Sequence, residues 1–163
     1  YALCPVTRHI VRRFISVPRP QTLDIPTGPC RVFISHASED ASVAEQVFRH
    51  LTTQFGDGVF YSPRTMTHTN FSRTIDTALE DARHMVVVGT ALPHLEKGWV
   101  EYEWRSFHNM VLSGLKPKEA QLVPYIGKGF SPAKMPLPLR ERSAIQMDQP
   151  GEGLDALNQF LSR

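Results

Sequence analysis

The sequence predicts an α/β domain built on a doubly wound, five-stranded parallel sheet with helices on both faces. Two patterns predict it. Short apolar runs rich in β-branched and aromatic residues alternate with longer segments whose apolar residues recur about once per helical turn. One run, HMVVVG, is apolar almost without interruption, as expected of a strand covered on both faces.

The elements follow in order. RVFIS (31–35) reads as a buried strand. In SEDASVAEQVFRHLTTQF (38–55), Val43, Val47, Leu51 and Phe55 lie on one helical stripe, and Ser42 with Glu45 has the spacing of a capping box. Gly56-Asp57-Gly58 stops that helix and releases a second strand, GVFYS. After the loop PRTMTHTN, Asn70 is expected to cap a helix with Phe71, Ile75, Leu79 and Ala82 on its apolar face. HMVVVGT is the third strand, and the helix over 98–113 comes next. AQLVPYIG, the weaker run SAIQM and the helix GLDALNQFL complete the pattern. Ligands of such sheets bind outside the carboxyl ends of the strands, where strand order reverses. The loops after RVFIS, GVFYS and HMVVVGT are therefore where function is sought.

Composition narrows the classes. A chain of 163 residues with 41% hydrophobic residues buries a full core in one domain plus an extension. A net charge of +2 argues against nucleic acid as the main partner, and no apolar run approaches the roughly 20 residues of a membrane span. The seven histidines form no cluster with cysteine or carboxylate at ligand spacing, so no metal is expected. Cys4 and Cys30 are read as reduced thiols, although their pairing stays open, and no signal peptide is visible. A cytoplasmic location is the expectation. Residues 1–30 hold Arg8, Arg12, Arg13 and Arg19 against one acid, Asp24, and are interrupted by five prolines. They read as a linker or the tail of an upstream segment, with the domain occupying 31–163. The start at Tyr1 points to a piece of a longer protein.

The stretch GWVEYEWRSF carries the candidate chemistry. On a helical wheel Val100, Trp104, Phe107 and Val111 form the apolar stripe. Glu103 lies about 60–80° from the centre of that stripe, with Trp99 further round on the same flank. Glu101 falls on the opposite flank and Tyr102 points away. A carboxylate sheltered in this way is a strong acceptor for a sugar hydroxyl or a stabiliser of a cationic transition state. It is equally a boundary glutamate paired with an arginine or a helix end, and spacing alone leaves both open. There is no G-x-S-x-G elbow for a serine hydrolase and no Gly-rich phosphate loop after the first strand. A phospho-receiver needs an aspartate where the third strand ends in Gly89 and Thr90.

RVFISHASEDASVAEQVFRHL resembles the first conserved box of Toll/interleukin-1 receptor (TIR) domains. VFYSPRTMTHTNFSRTIDTALEDARHMVVVGT is similar to the family's second strand, BB loop, second helix and third strand, and GWVEYEW to its W-x-x-x-E segment. The adaptors' R-D-x-x-P-G signature is absent, which makes the style closer to bacterial, NAD-consuming members. The resemblance implies a flavodoxin-like fold and cleavage of the nicotinamide–ribose bond of NAD⁺, which serves as substrate with no resident cofactor. It implies Glu103 as the catalytic carboxylate, with Trp99 and Phe71 as aromatic pocket residues. Ser35, His36 and Ser38 become contacts to the dinucleotide after the first strand, and Ser62 a polar contact at the end of the second. It implies TIR–TIR self-association in immune or cell-death signalling. The alternative function is a non-enzymatic TIR scaffold.

Overall fold

A computed structural model of the chain describes residues 31–61, 69–149 and 151–163, the first six of the second stretch by backbone alone. Residues 1–30, expected as a linker and including both cysteines, lie outside the described residues, as does Ser62. The strands are β1 (Val32–His36), β2 (Val59–Tyr61), β3 (His84–Gly89), β4 (Leu122–Gly127) and β5 (Ile145–Met147). They form a single all-parallel sheet in the order β2-β1-β3-β4-β5. The predicted fold class holds. Strand order reverses between β1 and β3, which are joined in register from Val32 opposite His84 to His36 opposite Val88.

Alternation along the strands builds two cores. Val32, Ile34, Val86 and Val88 pack under α1 (Ala41–Phe55) and the closing helix α6 (Leu154–Leu161). Phe33, Met85 and Val87 pack on the other face, under α2 (Thr69–Asp81) and α4 (Gly98–Leu112). Phe33 stacks on Phe60 across the strands at 5.1 Å between ring centroids. The predicted stripe of α1 is buried at Val43, Val47 and Leu51, and that of α4 at Val100, Trp104 and Phe107.

Several local readings are corrected. The capping box at Ser42 and Glu45 does not form: a 3₁₀ turn at Ser38–Asp40 precedes α1, whose N-cap residue is Asp40. Asp40 makes no capping bond either, because its carboxylate is engaged by residues after β3. Asn70 falls inside α2, one residue past its start. Two short helices, α3 (Leu92–Leu95) and α5 (Leu137–Arg140), were too brief to show a periodic pattern. Gly89 lets α3 fold over the end of β3, since a Cβ there would meet Leu95 Cδ2 at 2.5 Å. Trp104 Nε1 donates to the Leu95 carbonyl at 2.9 Å and ties α3 to α4. Among the described residues no helix is long and apolar enough to cross a membrane.

Two buried polar groups lie at the C-terminal end of α2 and at the start of β3. The Lys116 ammonium donates to the carbonyls of Leu79 and Glu80, both at 2.6 Å, and so caps the C-terminal end of α2. Lys116→Met keeps the apolar stem and removes the charge, and should lower unfolding stability by about 1–3 kcal/mol in urea.

His84 Nδ1 accepts from the Gln121 amide at 3.2 Å. Burial, reinforced by the charge of Arg83, pushes its pKa from 6.5 down to about 4. The unfolded chain therefore takes up this proton first on acidification. Stability from this residue is whole above about pH 6.5 and declines as pH falls towards 4. His84→Gln should flatten that part of the curve of unfolding midpoint against pH.

Candidate functional site

The carboxyl ends of β1 and β3 are where the sheet leaves its apolar interior. Successive β1 residues turn to opposite faces, so Ser35 points toward α4 and His36 toward α1. The Ser35 hydroxyl donates to Glu103 Oε2, joining the end of β1 to the middle of α4. Glu103 is only 1% exposed, deeper than its flank position on the wheel predicts. The reason is that its flank meets β1 at a small hydroxylated residue rather than at solvent. Glu101 behaves as its opposite flank requires, forming a surface pair with Arg105 at 2.7 Å.

Trp99 and Glu103 share the helix flank but not an environment. Trp99 is 36% exposed and stacks on Tyr102, with ring centroids 5.7 Å apart. The Tyr102 hydroxyl donates to Asp76 Oδ1 of α2 at 3.2 Å, and that carboxylate raises its pKa. Tyr102 also lines a groove of about 730 Å³ between α2 and α4, with Leu79, Ser106, Asn109 and Met110 on its walls.

The other sequence candidates scatter. His36 is buried against Tyr61, 5.0 Å between centroids, on the sheet face away from Glu103. Ser38 is exposed at the start of the 3₁₀ turn. Phe71 lies in α2, its side chain outside the description, and Ser62 is outside the described residues. The structure therefore brings Ser35 to Glu103, leaves Trp99 on the rim, and puts His36 elsewhere.

A second polar cluster escaped sequence reasoning. The Asp40 carboxylate is completely buried. It accepts from the Thr90 hydroxyl at 2.5 Å, from the Thr90 amide at 3.3 Å and from His94 Nδ1 at 2.9 Å. Beside it, Lys97 pairs with Glu39 and lowers that carboxyl's pKa. No sequence signal joins Asp40 to a histidine 54 positions away, and only the adjacency of β1 and β3 does. Nearby, Thr90, Gly127, Lys128 and Asp148 line an open cleft of about 240 Å³ at the same end of the sheet. No group of three or more candidate metal ligands occurs among the described residues.

The sequence profile of the TIR domain matches residues 32–161. The chain belongs to the TIR domain family. Two solved structures of a metazoan TIR-STING receptor from C. gigas share the fold of this TIR domain. The one in complex with 2',3'-cGAMP superposes with a TM-score of 0.60 at 21% identity, over 81% of this chain and 39% of that one. The other gives 0.59 at 20% identity, over 81% and 40%. This TIR chain thus spans about two-fifths of the receptor's length. No curated protein matches it.

Ser35→Ala would remove a donor from the buried Glu103 carboxylate of the TIR domain. It should lower unfolding stability by about 1–3 kcal/mol. Trp99→Ala, on the exposed rim, should cost less than about 1 kcal/mol in the same denaturant titration.

Proposed function

We propose that this TIR domain cleaves the nicotinamide–ribose bond of NAD⁺, releasing nicotinamide and giving ADP-ribose or a cyclic ADP-ribose. The observation that carries the reading is Glu103: the glutamate of the W-x-x-x-E segment is buried at the carboxyl end of the sheet and hydrogen-bonded by Ser35. Breaking a glycosidic bond builds positive charge on the ribose, and a desolvated carboxylate stabilises that charge far better than one in water. A single carboxylate suffices, since nicotinamide departs as a neutral molecule. Ser35 would orient Glu103, and Trp99 with its stacked neighbour Tyr102 would offer an aromatic surface to a cationic ring. Ser38, Ser62 and Phe71 enter the site by resemblance to the NAD-consuming branch, and His36, whose ring packs on Tyr61 across the sheet, stands behind it rather than beside Glu103. NAD⁺ is substrate, and no resident cofactor is invoked. Self-association through TIR–TIR contacts, in cytoplasmic immune or cell-death signalling, completes the reading.

The burial of Glu103 also favours a second reading. A carboxylate 1% exposed and held by Ser35 serves the fold without turnover in a TIR scaffold that signals by protein contact alone. An NAD⁺ consumption assay at high protein concentration, with product separation, divides the two. Wild type should release nicotinamide, and Glu103→Ala should lose about 100-fold or more of that rate. Intact NAD⁺ after long incubation of the assembled wild type, equal to Glu103→Ala, gives the scaffold reading.

A further inference from the structure

Asp40 is a fully buried carboxylate at the point where strand order reverses, and the chemistry assigned to Glu103 does not use it. Its charge is tolerated there because Thr90 and His94 surround it with donors. An ionised carboxylate only accepts, so the 2.9 Å contact puts the imidazole proton of His94 on Nδ1. The Nε2 lone pair is then left as an acceptor on a side chain that is 20% exposed. An imidazole held in one tautomer by a buried aspartate is the arrangement of a general base, with the carboxylate stabilising the imidazolium that forms. Among the described residues, Glu39, paired with Lys97, and Glu96 at the end of α3 also carry charge near His94. The Ser35–Glu103 pair and the Asp40–His94 pair occupy the same end of neighbouring strands β1 and β3.

We propose that His94, positioned by Asp40, is the proton acceptor for the water that captures the ribosyl group, a role that rests on the NAD⁺ reading above. As the C1′–N bond breaks, nicotinamide leaves with the bonding pair. The water oxygen forms its bond to C1′, and its proton passes to Nε2 of His94 and on to solvent. Glu103 and His94 thereby divide the reaction: Glu103 favours bond breaking, and His94 favours hydrolytic capture. Capture by an adenine ring nitrogen carries no proton on the attacking atom and needs no base. His94 therefore biases the products toward ADP-ribose.

The test follows nicotinamide, ADP-ribose and cyclic product separately for the chain at high concentration. His94→Asn keeps an amide donor for Asp40 and removes the basic ring nitrogen. ADP-ribose formation should fall about 100-fold in this variant while the cyclic share of products rises. Free imidazole should restore ADP-ribose formation to His94→Ala, a recovery that a structural role would not produce. Asp40→Asn should lower the same rate and resist imidazole. Unchanged ADP-ribose formation in His94→Asn, equal loss of all products, or failure of imidazole rescue overturns the proposal while leaving Glu103 in place. A wild type that makes only cyclic product also overturns it. Intact NAD⁺ with wild type fails the NAD⁺ reading itself, and this role with it.

Discussion

A parallel sheet covered on both faces has no place for an unpaired polar side chain along its length, and that constraint organises everything else in the molecule. The interior positions of β1, β3 and β4 are apolar and almost wholly inaccessible to water. Polar groups are confined to the strand ends, where each must find a partner contributed by another element. At the carboxyl ends Glu103 meets Ser35, and Asp40 meets Thr90 and His94. At the opposite ends His84 meets the Gln121 amide, and Lys116 meets the last carbonyls of α2. Polar side chains are thus driven to the two ends of the strands by the same force that closes the core.

The depth of Glu103 and the exposure of Trp99 follow from one geometric fact. Residues four apart on a helix are neighbours along its axis, yet the wheel turns by about 40° between them. On α4 that rotation separates a side chain facing β1 from one that is exposed and stacks on Tyr102. The spacing of the pair therefore describes adjacency along the helix and does not by itself give the two side chains the same burial.

The fold was legible because its signal is local. The apolar run of β3 and the stripes of α1 and α4 are read from neighbouring residues, and the structure reproduces them. The greater shelter of Glu103 than of Glu101 was also legible, through the wheel, and their burial differs accordingly. The opposed directions of Ser35 and His36 were implicit in strand alternation but not drawn from it. The Asp40–His94 contact was out of reach, since it depends on which strands lie side by side. The capping box fails for a nearer reason: α1 begins at Ala41, so Ser42 falls inside the helix, and the N-cap residue Asp40 is held by Thr90 and His94.

The alternation of Ser35 and His36 also sets how β1 tolerates genetic change. Substitutions within the strand alter one contact at a time. An insertion or deletion of one residue upstream of Ser35 shifts the phase of the pleat, and every later side chain in the strand changes face. A deletion would set an imidazole where Glu103 finds its hydroxyl, and an insertion would set a serine where Tyr61 finds its ring. The length of this strand, more than the identity of most residues in it, is what the domain must inherit unaltered.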